Sequence, residues 1–453
     1  MIDDVTKNGF ITSINTNTHP LAKARMMQKT RLLYFAALES IVCSCAPDTE
    51  YLNARLSQYR DFLVGKETKI PLTDASRNDA VKMLVNDSFM PWKRKYRFFL
   101  LCDAALIIPD KDKMGRAAAE KAYDMIEKHL SAGKKEKFHE LLEILYNDDA
   151  IPPVFECAEN LITQFRENRN FAEQKEIRIM VTATMSTGKS MLINALIGKH
   201  VTRTAVDSCT TNLCFLYNKP LEDDRFHLSE SSINLNATSE DLANAGKCSI
   251  ASYFRTLVRP QFRICLIDTP GVNLAENQSS ERVTLKAIEE TRKAIRGKKY
   301  DKLLYVLSVP TGPTDEKDHL EYVYKNVPKK KVIFVLNQLD RCDNITSLIS
   351  ESIDKAKIHL QNIGFKNPVI WPMAAQFSLL LKRKQSNENL NSNEQDEFDL
   401  KLKMFNTPEY DLSAYYDKAF VADKPQSGDK LLDMCFATGL HGLEAILYGG
   451  TGK

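Results

Sequence analysis

The sequence predicts an α/β fold, in which helices flank a mainly parallel and doubly wound sheet, with an all-helical domain before it in the chain. The pattern changes at Glu176, after which short apolar runs such as "IRIMVTA" and "KVIFVLNQLD" are each followed by a loop and a helical stretch. Buried strands that alternate with helices are typical of parallel sheets. From Pro20 to about Asn170 the apolar residues instead recur at helical spacing, as in "KMGRAAAEKAYDMIEKHL". We therefore predict a helical domain at residues 1–170 and a sheet domain at residues 171–453.

The elements follow in a simple order along the chain. The first domain contains about six helical stretches, separated by turn residues. In the second, "RICLIDTPG", "KLLYVLSVP" and "PVIWPMAAQ" are further strand candidates that end in loops. A polar segment, "QSNENLNSNEQDEFD" (Gln385–Asp399), interrupts the end of this domain, and we interpret it as a surface loop.

The bulk composition agrees with a globular protein of two or three domains. The 453 residues are 43% hydrophobic, and the formal net charge of +3 gives no general attraction to nucleic acid or anionic lipid. The ten cysteines lack the spacing of zinc ligands, as expected of reduced thiols. The N-terminus does not resemble a signal peptide, and the most apolar window, "RFFLLCDAALIIPD", is shorter than the ~20 residues that span a bilayer. We expect a soluble cytoplasmic protein that does not bind nucleic acid.

A phosphate-binding loop is indicated by "ATMSTGKS", which follows an apolar strand and precedes the amphipathic stretch "SMLINALIG". The pattern GxxxxGK[ST] expects glycine where this chain has Ala183, which is tolerable if its backbone angles suit alanine. Backbone amides around Gly188 would wrap the α and β phosphates, Lys189 would reach the β and γ phosphates, and the Ser190 hydroxyl would bind Mg²⁺. The predicted nucleotide contacts in this loop are Ser186, Thr187, Gly188, Lys189, Ser190 and Met191.

Two further motifs follow strands in the order expected of a guanine-nucleotide site. "LIDTPG" supplies Asp268 at a strand end that suits a metal site, and Gly271, whose amide can sense a γ phosphate. "NQLD" supplies Asn337 and Asp340. A carboxylate at Asp340 accepts both the N1–H and the 2-amino group of guanine, whereas adenine would leave it unpaired. In "PMAAQ", after the next strand, the Ala375 amide could bind the guanine oxygen.

A threonine between these motifs should close over Mg²⁺ when GTP is bound. We assign this role to Thr211 in "VDSCTTNLCF", with Thr210 as the alternative. The segment from Thr211 to Asp268 is much longer than a minimal small GTPase needs. The motifs together predict an enlarged P-loop GTPase domain that binds GTP or GDP with Mg²⁺, in which Ser190, Thr211 and Asp268 form the metal site. Lys189, Thr211 and Gly271 are the predicted catalytic residues.

These motifs resemble those of the dynamin superfamily, specifically bacterial dynamin-like proteins and mitofusins. "ATMSTGKSMLINALIG" is similar to the phosphate loop of that family, "TTNLCF" to the mitofusin switch, and "TGLHGLEAIL" (Thr438–Leu447) to the helix that closes such domains. The resemblance covers residues 171–447, about 60% of the chain. It implies GTP hydrolysis, nucleotide-dependent pairing of GTPase domains, and remodelling of membranes or large assemblies through helical stalks.

Two features depart from that family. Met185 occupies a loop position where many dynamins have a polar residue that helps to position the attacking water, so we expect slow turnover by this chain alone. The chain stops at Lys453, soon after the closing helix, without a C-terminal stalk. We therefore expect self-association through the GTPase domains or a second dynamin-like chain as partner, and we take the basic cluster "WKRKYR" as the candidate for peripheral membrane contact.

Two other functions stay open at this point. An Era-like GTPase of ribosome assembly would need an RNA-binding module, and no RNP or KH signature occurs in the sequence. A nucleotide-gated scaffold with negligible hydrolysis would agree with Met185 and the missing stalk. We favour a dynamin-like GTPase that couples GTP hydrolysis to remodelling.

Overall fold

A computed structural model of the chain describes residues 4–65, 74–85, 93–109, 113–184, 186–202, 212–245, 248–271, 278–308, 314–341, 346–416 and 428–449. The chain divides into two compact units. The first comprises residues 1–174, 219–238 and 251–253, and the second comprises residues 175–218, 239–250 and 254–453. The domain boundary at residues 170 and 171 stays a prediction.

Strands and helices are numbered in chain order over these described residues. The strands are β1 (Glu176–Ala183), β2 (Cys214–Asn218), β3 (Phe226–Ser229), β4 (Ile233–Ala237), β5 (Cys248–Ser252), β6 (Arg263–Asp268), β7 (Lys302–Ser308), β8 (Val332–Asn337) and β9 (Ile370–Pro372). The first helices are α1 (Asp4–Phe10), α2 (Gln28–Cys45), α3 (Glu50–Leu63), α4 (Asp74–Val85), α5 (Lys93–Ile107), α6 (Lys113–Glu127), α7 (Ala132–Tyr146) and α8 (Glu159–Glu173). The later helices are α9 (Lys189–Ile197), α10 (Ser239–Asn244), α11 (Gln278–Gly297), α12 (Thr314–Asn326), α13 (Thr346–Ile363), α14 (Ala375–Gln385), α15 (Ser392–Met404), α16 (Lys430–Ala437) and α17 (Leu440–Tyr448).

The first unit contains helices α1 to α8, and its most apolar sequence window forms much of α5. Asp103, which interrupts that window, is completely buried and accepts hydrogen bonds from the hydroxyls of Tyr34 (2.6 Å) and Tyr59 (3.1 Å). The Nδ1 of His19 accepts the Leu21 amide, so its Nε2 carries the proton and donates to Asp103 at 3.1 Å. The buried carboxylate is therefore satisfied by three donors. None of the helices in the described ranges is both long and apolar enough to cross a membrane.

A hairpin made of β3 and β4 also belongs to the first unit, although its residues 219–238 follow the phosphate loop in sequence. His227 donates from Nδ1 to the carbonyl oxygen of Phe10 at 2.6 Å, and the Ser13 hydroxyl donates to the carbonyl oxygen of Leu221 at 2.8 Å. Burial lowers the pKa of His227 to about 4, so this ring is neutral at pH 7. The N-terminal segment and the hairpin are therefore parts of one folded unit.

The second unit is built around a sheet in which the strands follow the order β5-β2-β6-β1-β7-β8-β9. β6, β1, β7, β8 and β9 are parallel, whereas β2 runs antiparallel to β6. The central strands are almost entirely buried, which explains why their sequences are continuous apolar runs rather than alternating ones. The predicted α/β fold, with an enlarged and mainly parallel sheet and an N-terminal helical region, is confirmed.

The register of the parallel strands brings their carboxyl ends to one edge of the sheet. Val181 near the end of β1 lies opposite Asp268 at the end of β6, and Ser308 at the end of β7 lies opposite Asn337 at the end of β8. The phosphate loop follows β1, and the start of α14 at Ala375 follows β9. In open α/β sheets ligands bind at this edge, so the fold gathers the predicted motifs at one place.

A buried ion pair joins helices of the second unit behind the phosphate loop. Lys382 on α14 donates to the carbonyl oxygen of Leu196 on α9 at 2.9 Å and contacts the Glu444 carboxylate on α17 at 2.5 Å. Glu444 also accepts the amides of Leu257 (2.6 Å) and Val258 (3.3 Å). The loss of hydration on burial raises the pKa of Glu444 above its usual value. Lys382 and the two backbone amides offset only part of this rise. The helix predicted to close the domain, α17, is thus tied to the helix that follows the phosphate loop.

The polar segment interpreted as a surface loop folds differently from that expectation. Residues 386–391 form a turn, and α15 then begins at Ser392 and extends to Met404. The side chain of Asn391 accepts the Glu394 amide while the Glu394 carboxylate accepts the Asn391 amide, which is a reciprocal cap of the helix start. The loop interpretation was therefore wrong for residues 392–399, although half of them are exposed.

Candidate nucleotide-binding site

The phosphate loop leaves β1 and turns into α9 through a glycine with a left-handed backbone. Gly188 has φ of 85° and caps the start of α9, and a Cβ at this position would collide with the Asn337 side chain. Ala183 ends β1 in extended conformation, so the residue in place of the motif's first glycine needs no glycine backbone. Thr187 donates its hydroxyl to the Thr184 carbonyl oxygen at 3.1 Å and closes the turn. Alanine at position 183 is therefore compatible with the loop.

Lys189 and Asp268 form an ion pair at the centre of the site. Lys189 opens α9, Asp268 ends β6, and the lysine Nζ contacts the carboxylate Oδ1. Their side chains are only 8% and 4% exposed. A buried lysine or carboxylate is costly unless it is paired, so each charge stabilises the other. These are the groups predicted to meet the phosphates and the metal, and the fold brings them into direct contact.

The remaining loop residues lie at the start of α9. Ser190 and Met191 occupy its first turn and are half-buried. The Ser190 carbonyl oxygen accepts the hydroxyl of Thr202 at 3.1 Å. Ser186 has a positive φ of 62° in the turn before Gly188. Amides at the N-terminus of a helix have no partner within the helix and carry partial positive charge, which suits them to phosphate.

Asn337 connects three parts of the site. Its Nδ2 donates to the Thr187 carbonyl oxygen at 3.2 Å, and its Oδ1 accepts the Ala375 amide at 3.1 Å. A guanine oxygen would have to share this amide with Asn337. The next residue, Gln338, has φ of 65° and donates from Nε2 to the Ser186 carbonyl oxygen at 3.2 Å. The end of β8 therefore fixes both the phosphate loop and the start of α14.

Asp340 lies in a short 3-10 turn after β8 and is 6% exposed. Lys401 on α15 lies 3.5 Å from the Asp340 Oδ2 and also donates from Nζ to the Asp340 carbonyl oxygen. Lys401 was not among the residues predicted from the sequence, because its helix begins within the segment interpreted as a loop. The capping pair of Asn391 and Glu394 is the sequence signal that could have revealed that helix.

Gly271 and the switch residues are only partly described. Thr269 donates its hydroxyl to the Val181 carbonyl oxygen at 3.0 Å, which fixes the "DTPG" turn against β1, and Gly271 is half-buried at the end of that turn. Thr210, Thr211 and Met185 lie outside the described residues. Their assignments stay predictions.

The sequence of this region matches known GTPases. The profile of a family described as 50S ribosome-binding GTPase matches residues 178–338. A protein named probable transmembrane GTPase FZO-like, chloroplastic, from Arabidopsis thaliana is 26% identical over 206 residues, which are 45% of this chain and 20% of that protein. The match thus spans about a fifth of the length of this relative.

The solved structures that match this chain include two of the GTPase Era and one of a probable GTP-binding protein EngB. Era in complex with MgGDPNP and part of 16S ribosomal RNA is 20% identical, with a TM-score of 0.27, over 45% of this chain and 52% of that one. A variant of Aquifex aeolicus Era bound to GDP and AlF4⁻ is 18% identical, with a TM-score of 0.27, over 48% and 58%. EngB is 18% identical, with a TM-score of 0.26, over 49% of this chain and 97% of that one.

The family match and the motif geometry concern the same residues. The matched range contains Lys189, Asp268 and Asn337, which the fold gathers at one edge of the sheet. The plant relative carries the name of an FZO-like GTPase. The chain therefore contains a P-loop GTPase domain, and its resemblance to dynamin-like GTPases of the mitofusin type is confirmed.

Proposed function

We propose that this protein binds GTP and hydrolyses it to GDP and phosphate, and that it does so as a dynamin-like GTPase. The observation that carries the proposal is the convergence of Lys189, Asp268, Asn337 and Asp340 at the carboxyl edge of one sheet. The lysine can bind phosphates, one carboxylate can bind a metal ion, and the other carboxylate can bind guanine. A ligand that makes use of all three groups is a guanine nucleotide with its metal ion, such as GTP.

The donor set also fits Mg²⁺. Mg²⁺ prefers hard oxygen ligands, and the Asp268 carboxylate and the Ser190 hydroxyl are of this type. Lys189 balances the charge of Asp268 in this structure, and a divalent cation would take over that role. When bound with GTP, Mg²⁺ would neutralise negative charge on the β and γ phosphate oxygens.

The roles of the protein groups in hydrolysis follow from this arrangement. Lys189 would leave Asp268 for the β and γ phosphates and stabilise the charge of the transferring phosphoryl group. Gly271 would couple its amide to the γ phosphate, and Thr211 would close over the site, so that loss of the γ phosphate releases both segments. Asn337 keeps the loop rigid while these segments move. In this arrangement the guanine side and the phosphate loop stay fixed, and the segments that carry Gly271 and Thr211 move with the γ phosphate.

We extend the proposal to nucleotide-dependent pairing of GTPase domains and to remodelling of a membrane or large assembly with a partner. Support comes from the sequence resemblance and from the name of the plant relative, a probable transmembrane GTPase. The basic cluster at residues 92–97 is the proposed site of peripheral membrane contact in a cytoplasmic protein. A scaffold that binds GTP without hydrolysing it is the alternative outcome of the experiment below.

The experiment compares the wild-type chain with Lys189→Ala. Binding of a fluorescent GDP analogue should weaken at least about tenfold in the variant, since a charge-assisted hydrogen bond to phosphate is lost. Phosphate release from GTP should fall with it and should require Mg²⁺ in the wild type. Lys175→Ala removes an exposed cation just before β1 and serves as the matched control. Tight GTP binding without phosphate release at any protein concentration would favour the scaffold.

A further inference from the structure

A cation from outside the recognised motifs contacts the residue predicted to read guanine. Lys401 lies in the last turn of α15, and its Nζ is 3.5 Å from the Oδ2 of Asp340. The same Nζ donates to the backbone carbonyl oxygen of Asp340. The Asp340 side chain is 6% exposed and that of Lys401 is 12% exposed. The ammonium group therefore holds both the backbone and the carboxylate of a single residue, in a region that excludes most water.

α15 is firmly attached to α14, which begins at the guanine side of the site. Phe398 packs against Phe377 with 5.9 Å between ring centroids, and Gln376 donates to the Glu397 carboxylate at 2.6 Å. At the other end of α15, Arg383 donates to Glu394 at 2.6 Å. These contacts fix the helix that carries Lys401. Lys401 therefore extends from a helix that is held in place, and not from a loop.

The chemistry of guanine recognition leaves room for this lysine. An ionised carboxylate has two oxygens with about four lone-pair sites between them, so Asp340 can accept Lys401 and the guanine N1–H and 2-amino donors together. Without Lys401, the Asp340 carboxylate would rotate more freely and would lose a charged partner in a poorly hydrated site. The ion pair therefore favours the orientation of the Asp340 carboxylate that guanine requires.

We propose that Lys401 is a positioning residue for guanine recognition, which holds Asp340 so that its carboxylate faces the N1–H and 2-amino edge of the base. This inference rests on the proposed function, because it concerns the same nucleotide site. It assigns part of the base selectivity to α15, outside the motifs that define the GTPase family. The substrate class remains a guanine nucleotide, and Lys401 touches the protein rather than the base.

The test measures selectivity rather than affinity alone. Inosine diphosphate lacks the 2-amino group of GDP, so the ratio of the two dissociation constants reports how well Asp340 reads that group. In Lys401→Met this ratio should fall about threefold to tenfold, the equivalent of one intramolecular hydrogen bond. Lys401→Gln, which keeps a donor but no charge, should give a smaller fall, and Lys401→Arg should keep the wild-type ratio. Lys403→Met, on the same helix and exposed, is the matched control.

The outcomes separate this inference from the proposed function. An unchanged ratio in a folded Lys401→Met protein, or equal weakening of both nucleotides, would mean that Lys401 only supports the fold and would overturn the inference. If Lys401→Met does not fold, an unchanged ratio in Lys401→Gln has the same meaning. A wild-type chain that does not prefer GDP to ADP would instead overturn the proposed function itself.

Discussion

At the scale of single residues, one asparagine side chain determines much of the site. Asn337 contacts the phosphate loop through its amide nitrogen and the start of α14 through its oxygen. Gly188 must be glycine both because its φ is 85° and because a Cβ would strike Asn337. The side chain at the end of β8 therefore sets the distance between the phosphate side and the guanine side of the site.

Asp340→Asn should change the base that the site prefers. The carboxylate of Asp340 accepts hydrogen bonds from guanine, whereas an amide offers donors that suit the 2-oxo group of xanthine. We expect weaker binding of GTP and stronger binding of xanthosine triphosphate, measured by calorimetry on both nucleotides. A preference for GTP that does not change would remove Asp340 from the site.

His319 should make the stability of the second unit depend on pH. The ring is 2% exposed, its Nε2 lies 2.9 Å from the Thr182 hydroxyl oxygen, and burial lowers its pKa to about 4. His319 takes up a proton near pH 6.5 in the unfolded chain but only near pH 4 in the folded chain. Its contribution to the free energy of unfolding is therefore fully present above pH 6.5 and is lost as the pH falls towards 4. This residue alone should lower the free energy of unfolding by about 2 kcal/mol when the pH falls from 7.5 to 5.

Urea unfolding at the two pH values measures this loss. His319→Gln cannot take up the proton, so its free energy of unfolding should fall less than that of the wild type over the same range. Parallel losses in the two proteins would show that other groups cause the acid sensitivity.

The residues of the site were foreseeable from the sequence to different degrees. Lys189, Asp268 and Asn337 lie in short motifs whose strand context is visible, and the structure brings them together. The contact from Lys401 to Asp340 joins positions 61 residues apart. Such a contact depends on how α15 packs, which no local pattern encodes.

At the scale of elements, α15 shows why polarity alone misleads. Its sequence is mostly polar and only Phe398 is fully buried, so its apolar face is too narrow for periodicity to reveal. The reciprocal cap at Asn391 and the packing of Phe398 on α14 stabilise the helix instead. The strands were predictable because their continuous apolar runs are a strong signal of burial.

Glu444→Ala should destabilise the second unit strongly, because it leaves the Lys382 ammonium buried without its carboxylate. Breaking one side of a buried ion pair costs about 3–5 kcal/mol, whereas replacement of both partners by apolar residues is often neutral. The double substitution of Lys382→Met with Glu444→Leu should therefore recover much of the free energy of unfolding, measured in urea. A double variant less stable than Glu444→Ala would argue that the backbone contacts of Glu444, at Leu257 and Val258, matter more than the ion pair.

At the scale of the whole molecule, the chain contains a GTPase unit and a helical unit. The sequence indicated both, since the period of the apolar residues changes near Glu176. The hairpin at residues 219–238 could not be assigned to the first unit in this way, because a short strand pair looks the same in either unit. Only its packing against the N-terminal segment reveals where it belongs.

Turnover by this chain should depend on its concentration. If Met185 lies beside the γ phosphate, the isolated chain lacks a polar group to position water, and a second GTPase domain would have to supply one. Specific activity should then rise with protein concentration, and GDP with aluminium fluoride should produce a dimer in light scattering. Rapid hydrolysis by a strict monomer would contradict this expectation, and activity that stays flat until another chain is added would indicate a distinct partner.

The assignment of the hairpin also has a consequence for the order in which the protein matures on the ribosome. A nascent chain that has emerged only to residue 174 contains α1 to α8 but not His227 or the Leu221 carbonyl, the partners of Phe10 and Ser13. Domains generally fold from the N-terminus as they are synthesised, yet this helical unit is incomplete until residue 253 has emerged. By then the phosphate loop and β2 have also been made. The first unit therefore cannot complete its folding before the phosphate loop and β2 have been synthesised, although β6 to β9 of the second unit emerge later still.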